Sequence, residues 1–414
     1  MVNSIQARSL YTAIEILEWA DAWIEYWSRQ PRPDLGLHPQ WLIDRAEISG
    51  EALAVGLVHG NDGLLGTAPF LVSKESLFIR FGYRCLWRWA LMKAEFAGDI
   101  LCPSGCRDKD RQLVRALLDA CRSVDAVRFE SLPTDSAVYQ LVRARDPLFR
   151  GWWPCFLTTP EPRRLVRIQG GFKVYLEKFN GRRRQKLHHE IRKLEQQCAG
   201  DLRLSVITTV AELDAFVKAA RLVSSASWQG TILGQLIQPE SMQRNLLLRL
   251  AERGWLRCYL LQSGDQPIAF VIGRQAQGVF YYDQVAHDAA WNAWSPGKVL
   301  LLKILDDLHE AGHFEWLDFR HGDAEYKKHF STHSYDEAGL LLVRATLRNL
   351  IPFFLFRTSM CFSNRFRNIL KQLNMIESVR RWRRRRRSDV LHQARTFATP
   401  CEKETCCMGN SAAE

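Results

Sequence analysis

The residues with the most chemical potential lie between positions 281 and 328. Ser295-Pro296-Gly297-Lys298 precedes an apolar-periodic run and reads as a helix start. A helix N-terminus presents unpaired amides and the positive end of a dipole, so it suits a diphosphate. Pro296 presets the first turn, Gly297 admits a phosphate closely, and Lys298 adds charge. Ser295, Gly297 and Lys298 are therefore candidate cofactor-binding residues, although an ordinary helix capped by Ser295 would look the same. The strand expected at 279–287 carries Asp283 and His287, which alternation puts on one face with Tyr281 and Val285. Either could accept the proton of an amine, and either could be a polar strand edge. Asp318 ends the next expected strand, where ligand sites of open sheets gather, or it is a turn residue. Tyr326 is a phenol, with an ordinary pKa of about 10, that could protonate a departing thiolate.

Two further groups could hold an acceptor. Trp228, between Ser227 and Gly230, could wall a pocket as an aromatic platform, or be a buried structural Trp. Arg183 and Lys186 share a helix face with Glu190 and Lys193, opposite Leu187, Ile191 and Leu194. They could bind a phosphorylated acceptor, and a solvated face would have the same pattern. Together these parts could hold a diphosphate-bearing ligand and move a proton to or from a substrate amine. No metal is expected. Cys102 and Cys106, and Cys401, Cys406 and Cys407, lack a matched second pair with zinc spacing.

The elements that would position these residues follow from periodicity. Met1 to Arg29 reads as one amphipathic helix, and strands are expected at 53–58, 64–72, 77–83, 99–101 and 126–130, with a helix at 108–122. Gly60 to Gly63 supply a hairpin turn. The Pro- and Trp-rich stretch 151–164 reads as a crossing between two units. Beyond it come helices at 172–198, 210–223 and 240–252, strands at 202–207, 256–262, 267–274 and 279–286, a helix from 296 to 311, and strands at 314–319 and 340–344. Three consecutive strands can pair antiparallel, and the next returns through a helix and lies parallel to its predecessor.

The 414 residues carry a net charge of +12, but 344–387 hold thirteen Lys and Arg against the single acid Glu377. The remainder balances at 44 basic and 44 acidic groups. A neutral body argues against nucleic acid as the main partner. The stretch 346–387 is an aromatic-basic amphipathic tail suited to an anionic membrane surface, with RNA as competitor and a solvated tail as the bland account. Residues 388–414 read as disordered. No signal peptide or apolar run of membrane-spanning length is evident, so a cytoplasmic protein, peripheral at the inner face of the membrane, is expected.

The run 295–302, then Gly312, Trp316 to Phe319, Gly322-Asp323 and Tyr326-Lys327-Lys328, resembles the BioF2-like (CelD-like) acetyltransferase family, as do Ser227 to Gly230 and 254–270. That family is related to the FemAB peptidyltransferases. The resemblance implies an α/β GNAT fold in two tandem units, the first degenerate at 1–160 and the second at 161–345. It implies N-acyl transfer from acetyl-CoA or another acyl-CoA to an amine, such as an amino-sugar precursor of a surface polysaccharide. It also assigns Lys327 to the reacting carbonyl or its oxyanion. The general GNAT loop begins with Arg or Gln, and Asn292 stands there instead. That departure leaves open a FemAB-like aminoacyl-tRNA donor, or a non-catalytic membrane-associated scaffold.

Overall fold

A computed structural model describes residues 5–372 apart from Pro31, Asp62, Gly82, Tyr83, 97–106 and 228–241. Residues up to Met360 form one unit, and those from Cys361 a second.

In the first half, β1 (Gln6–Leu10) is followed by α1 (Ala13–Leu17), α2 (Ala20–Ser28) and α3 (Pro39–Ser49). The single N-terminal helix expected from periodicity is thus a strand and two helices. Pairing of Gln6–Leu10 with Val55–His59 outweighs local helical preference, and Thr12 opens α1 with a capping box to Glu15. The meander is β2 (Ala52–Gly60), β3 (Gly63–Phe81) and β4 (Arg84–Phe96), so the strand expected at 77–83 is the outer part of β3. Then α4 (Arg107–Ala120) returns the chain to β5 (Ala126–Pro133), which pairs parallel to β4. After α5 (Ala137–Arg143) come β6 (Trp152–Phe156) and β7 (Glu161–Arg167). The stretch expected as a crossing is therefore two strands. Pro154 is tolerated because β6 is an edge strand, paired only with β13 (His333–Arg344).

The second half repeats the order. α6 (Gly171–Leu176) and α7 (Gly181–Gln197) precede β8 (Leu202–Ile207), α8 (Val210–Ala226) and α9 (Met242–Glu252). The meander β9 (Cys258–Ser263), β10 (Gln266–Ala276) and β11 (Val279–His287) leads through α10 (Pro296–Ala311) to β12 (Trp316–Asp318), parallel to β11. α11 (Glu325–Phe330) and β13 follow, then α12 (Leu347–Gln372).

All thirteen strands make one sheet, with the order β1-β2-β3-β4-β5-β13-β7-β12-β11-β10-β9-β8. The halves exchange strands at its centre: β13, from the second half, pairs with β5, while β7, from the first, pairs with β12. A boundary at 160/161 falls just before β7, whose ladder partners β12 and β13 both come from the second half. The largest apolar cluster crosses between the halves, with Trp23, Trp41, Leu113, Leu117, Phe216 and Phe270 among its members. A second packs α10 and α7 against the second-half strands, and a third lies beneath α12. Full burial of a residue such as Phe270 contributes about 1.5–3 kcal/mol.

Candidate active site

β11 and β12 pair only through Val279–Trp316, Phe280–Leu317 and Tyr281–Asp318. β11 continues to His287, so among the described residues 282–287 have no strand neighbour on that side, and this unpaired edge beside the end of β12 is the wedge. A bulge interrupts the neighbouring ladder: Gly273 faces Tyr282 and Ile272 faces Gln284, which leaves Asp283 as the extra residue. The bulge shifts the alternation. Tyr281 and Ala286 join the large cluster, while Tyr282 and Val285 pack with the cluster under α10. The shared face expected for Tyr281, Asp283, Val285 and His287 therefore does not form.

His287 lies at the N-terminus of α10. A Cβ on Gly297 would stand 3.3 Å from His287 Nδ1. His287 Nε2 is 2.8 Å from Asn292 Oδ1. With Nε2–H donated there, Nδ1 is left as an acceptor beside the helix end. Ser295 occupies the N-cap position at φ 52° and makes no side-chain cap bond, so it is not the cap that its type suggests. Lys298 pairs with Glu190 at 2.7 Å and Lys303 with Glu195 at 3.4 Å, an equal step on α7 and α10. The two helices therefore run side by side in the same direction. α7 begins at Gly181, so its first two turns extend about 10 Å beyond the start of α10 at 1.5 Å per residue. Those turns carry Arg183, half-buried, and Lys186, exposed. Lys193 Nζ donates to the carbonyl of Ala293 at 3.1 Å and fastens the preceding loop against α7.

Asp318, which is buried, and Asp283, which is exposed, belong to one ionic network at the junction of the halves. Arg163 Nε of β7 donates to both oxygens of Asp318, at 3.0 and 3.1 Å. The same guanidinium lies 3.8 Å from Asp34 and 3.5 Å from Glu337. Arg274 binds Asp283 in bidentate fashion, at 2.6 and 2.9 Å. Arg320 bridges Asp283 at 3.4 Å and Asp34 at 3.3 Å, from a left-handed backbone at φ 58°. Burial pushes the Asp318 carboxyl up, but the Arg163 guanidinium outweighs it and holds the group below the usual carboxylate value. Asp34 is held down likewise, by Arg320 first and Arg163 next, against its burial. Both carboxylates are thus ionised and paired. Sequence reasoning missed Arg163, Arg274, Arg320 and Asp34. The only local signal was an Asp at a strand end followed two residues later by Arg.

Tyr326, on the first turn of α11, packs edge-on against Phe319 at 5.8 Å, and Phe319 against Tyr282 at 5.6 Å. Burial pushes its phenol up to about 12, so it carries its proton throughout the neutral range. Lys327 Nζ donates to the carbonyls of Phe319 and His321, both at 2.8 Å, and ties the turn between β12 and α11. Burial lowers its pKa. The structure thus brings His287, Ser295, Gly297 and Lys298 together at one helix end, with Arg183 and Lys186 on the helix alongside. It joins Asp283 to Asp318 only through arginines. Trp228 lies outside the described residues. Among the described residues, no group of His, Cys, Asp and Glu could hold a metal ion.

An antiparallel meander returning through a helix to a parallel strand is the order of the GNAT fold, and it occurs in both halves, with the parallel pair parting at Tyr281 and Asp318 in the second. The family model described as "Acetyltransferase (GNAT) domain" matches residues 181–328. No curated protein sequence matches the chain. Among solved structures, FemX is similar at a TM-score of 0.56 and 12% identity, over 84% of this chain and 100% of that one. The C-terminal domain (DUF2156) of a putative lysylphosphatidylglycerol synthetase from Agrobacterium fabrum gives 0.48 and 13%, over 81% and 93%. A tandem GNAT protein from the clavulanic acid biosynthesis pathway gives 0.45 and 12%, over 82% and 99%. Residues 181–328 carry an acetyltransferase (GNAT) domain, whose activity is that of an acyltransferase, and the fold of the chain is shared with FemX.

Proposed function

We propose that the second half transfers an acyl group from an acyl-CoA to an amine, with an amino-sugar precursor of a surface polymer as acceptor class. The observation that supports this most is the side-by-side start of α10 and α7. An uncapped helix end beside a basic overhang suits the pyrophosphate and the remaining phosphate of CoA. The thioester would then lie in the wedge, along the free edge of β11. Unpaired backbone N–H groups on that edge would hold the oxyanion. The amine nitrogen attacks the carbonyl carbon, a C–N bond forms and the C–S bond breaks. His287 Nδ1 takes the amine proton, and Tyr326 gives its phenol proton to the departing sulfur. Lys327 acts here by holding the 319–321 turn, and Lys298 by anchoring α10 to α7.

Thermal unfolding with and without acyl-CoA tests the reading. A donor at a hundred times its Kd adds about 2.7 kcal/mol of stability. A shift with aminoacyl-tRNA and none with any acyl-CoA would replace the donor with the FemAB type. No shift with either would reduce the fold to a scaffold.

A further inference from the structure

Helix α12 has two apolar faces where a surface helix needs one. Its inward face carries Phe353, stacked on Trp153 at 5.3 Å, and Phe356, edge-on to Trp89 at 6.4 Å, with Asn349 and Pro352 also buried. Its outward face carries Leu347, Leu350, Ile351, Phe354 and Leu355, spaced i, i+3, i+4, i+7 and i+8. Leu347 is 91% exposed, Ile351 62%, Phe354 48% and Leu355 41%. Arg348 and Arg357 flank this stripe and are exposed. Trp87, half-exposed, lies two residues along β4 from Trp89 and therefore on the same face of the β3–β4 hairpin. A contiguous apolar stripe of this kind marks a contact surface.

Charge selects the partner. Residues 344–387 hold thirteen Lys and Arg and one acid, Glu377. A second copy of this face would bring two such segments together and be repelled. A nucleic acid would neutralise the charge but offer nothing to a stripe of Leu, Ile and Phe. An anionic lipid surface satisfies both, because acyl chains take the apolar face and headgroups take the guanidinium groups. We propose that α12 docks the protein on anionic bilayers, lying in the interface with the Leu347–Leu355 face inward to the lipid. No described helix is long and apolar enough to cross a membrane, which fits a helix that lies in the surface. Each basic residue near such a surface contributes about 1 kcal/mol, and an apolar face with a polybasic segment supplies the two signals that stable attachment takes.

The experiment is sedimentation of the full chain with vesicles of phosphatidylcholine alone and of phosphatidylcholine with about one third phosphatidylglycerol. The protein is expected on the anionic vesicles only, with binding that weakens as salt rises. The double variant I351E/F354E is expected to lose at least about tenfold in partitioning, since two apolar side chains leave the lipid. Ile351 is 62% exposed and Phe354 48%, with one edge of the Phe354 ring against Trp153, so the thermal midpoint is measured alongside and I351E by itself, expected to weaken binding with an unchanged midpoint, separates loss of binding from unfolding. Replacing Arg383 to Arg387 with serine is expected to weaken binding about as much. The proposal is overturned if I351E/F354E binds anionic vesicles as tightly as wild type. It is also overturned if the protein ignores vesicles and binds RNA equally with and without those substitutions. Light scattering showing a dimer that I351E/F354E dissociates would assign the face to a second copy instead. None of these side chains belongs to the wedge or to the start of α10, so the outcome is independent of the acyl donor.

Discussion

In the first half, the parallel strands β4 and β5 pair as far as Phe96, the last described residue of β4. Ala94 and Phe96 face Val127 and Phe129, all fully buried, and Phe96 packs against both Phe129 at 5.5 Å and Phe70 at 5.0 Å. The described part of β4 ends where that pairing ends. In the second half, pairing with β12 stops at Tyr281 and Asp318, and β11 runs on to His287 paired with β10. One frame was thus built twice, with aromatic rings packed over the paired end of β4 and β5 in the first half and with β12 ending beside a longer β11 in the second. α4 shows the same closure: a Cβ on Gly56 of β2 would stand 2.7 Å from the backbone of Leu117, so helix and strand touch directly. With the proposed function, stability belongs to the first half and the junction, and chemistry to the second half.

Substitutions that separate these roles would sharpen or break the comparison. The largest effect is expected at the junction. Arg163→Ala strips the buried Asp318 of its partner and should cost about 3–5 kcal/mol, read from urea unfolding; a loss no greater than that of an exposed arginine would show the network to be idle. Next is Tyr326→Phe, which should lower turnover about a hundredfold or more with an unchanged thermal midpoint, as for a lost general acid. Gly56→Ala should destabilise by about 1–3 kcal/mol through overpacking while KM for the acyl donor stays fixed. A change in KM would mean the first half touches the donor. Arg183→Gln and Lys186→Gln should each raise that KM only a few-fold, at about 1 kcal/mol or less for an exposed charge.

The junction also predicts an acid limb. Asp34 and Asp318 have folded pKa values below the ordinary carboxylate value. Their contribution is whole above the unfolded pKa of about 4 and is lost as pH falls through the lower folded values. The urea midpoint should therefore hold from neutral pH to about 5 and decline below about 4, less steeply in Asp318→Asn.

Much of the second half is legible in the sequence. α10 has sixteen residues of clear helical period, and β10 and β11 alternate around the tight turn at Gln277-Gly278. Other parts hide for physical reasons. β6 and β7 carry Pro154 and Pro162, which local rules assign to loops, and their ladder partner β13 lies far along the chain. One bulge residue inverts the faces of β11, which strict alternation cannot anticipate. Arg163 reads as a surface charge among prolines until folding brings Asp318, Asp34 and Glu337 around it. The start of α10 was readable from Ser295-Pro296-Gly297. That α7 overhangs it was not, because the alignment depends on ion pairs between distant segments.

The exchange of β7 and β13 has a consequence for biosynthesis. β5 ends at Pro133, but the strand that covers its free edge ends at Arg344. At translation rates of 5–20 residues per second, a nascent chain waits roughly 10–40 seconds with that edge bare on the ribosome. An open edge of this kind invites mispairing. Slow elongation or loss of trigger-type chaperones should therefore push this protein into inclusion bodies, and neither half made by itself should yield soluble material.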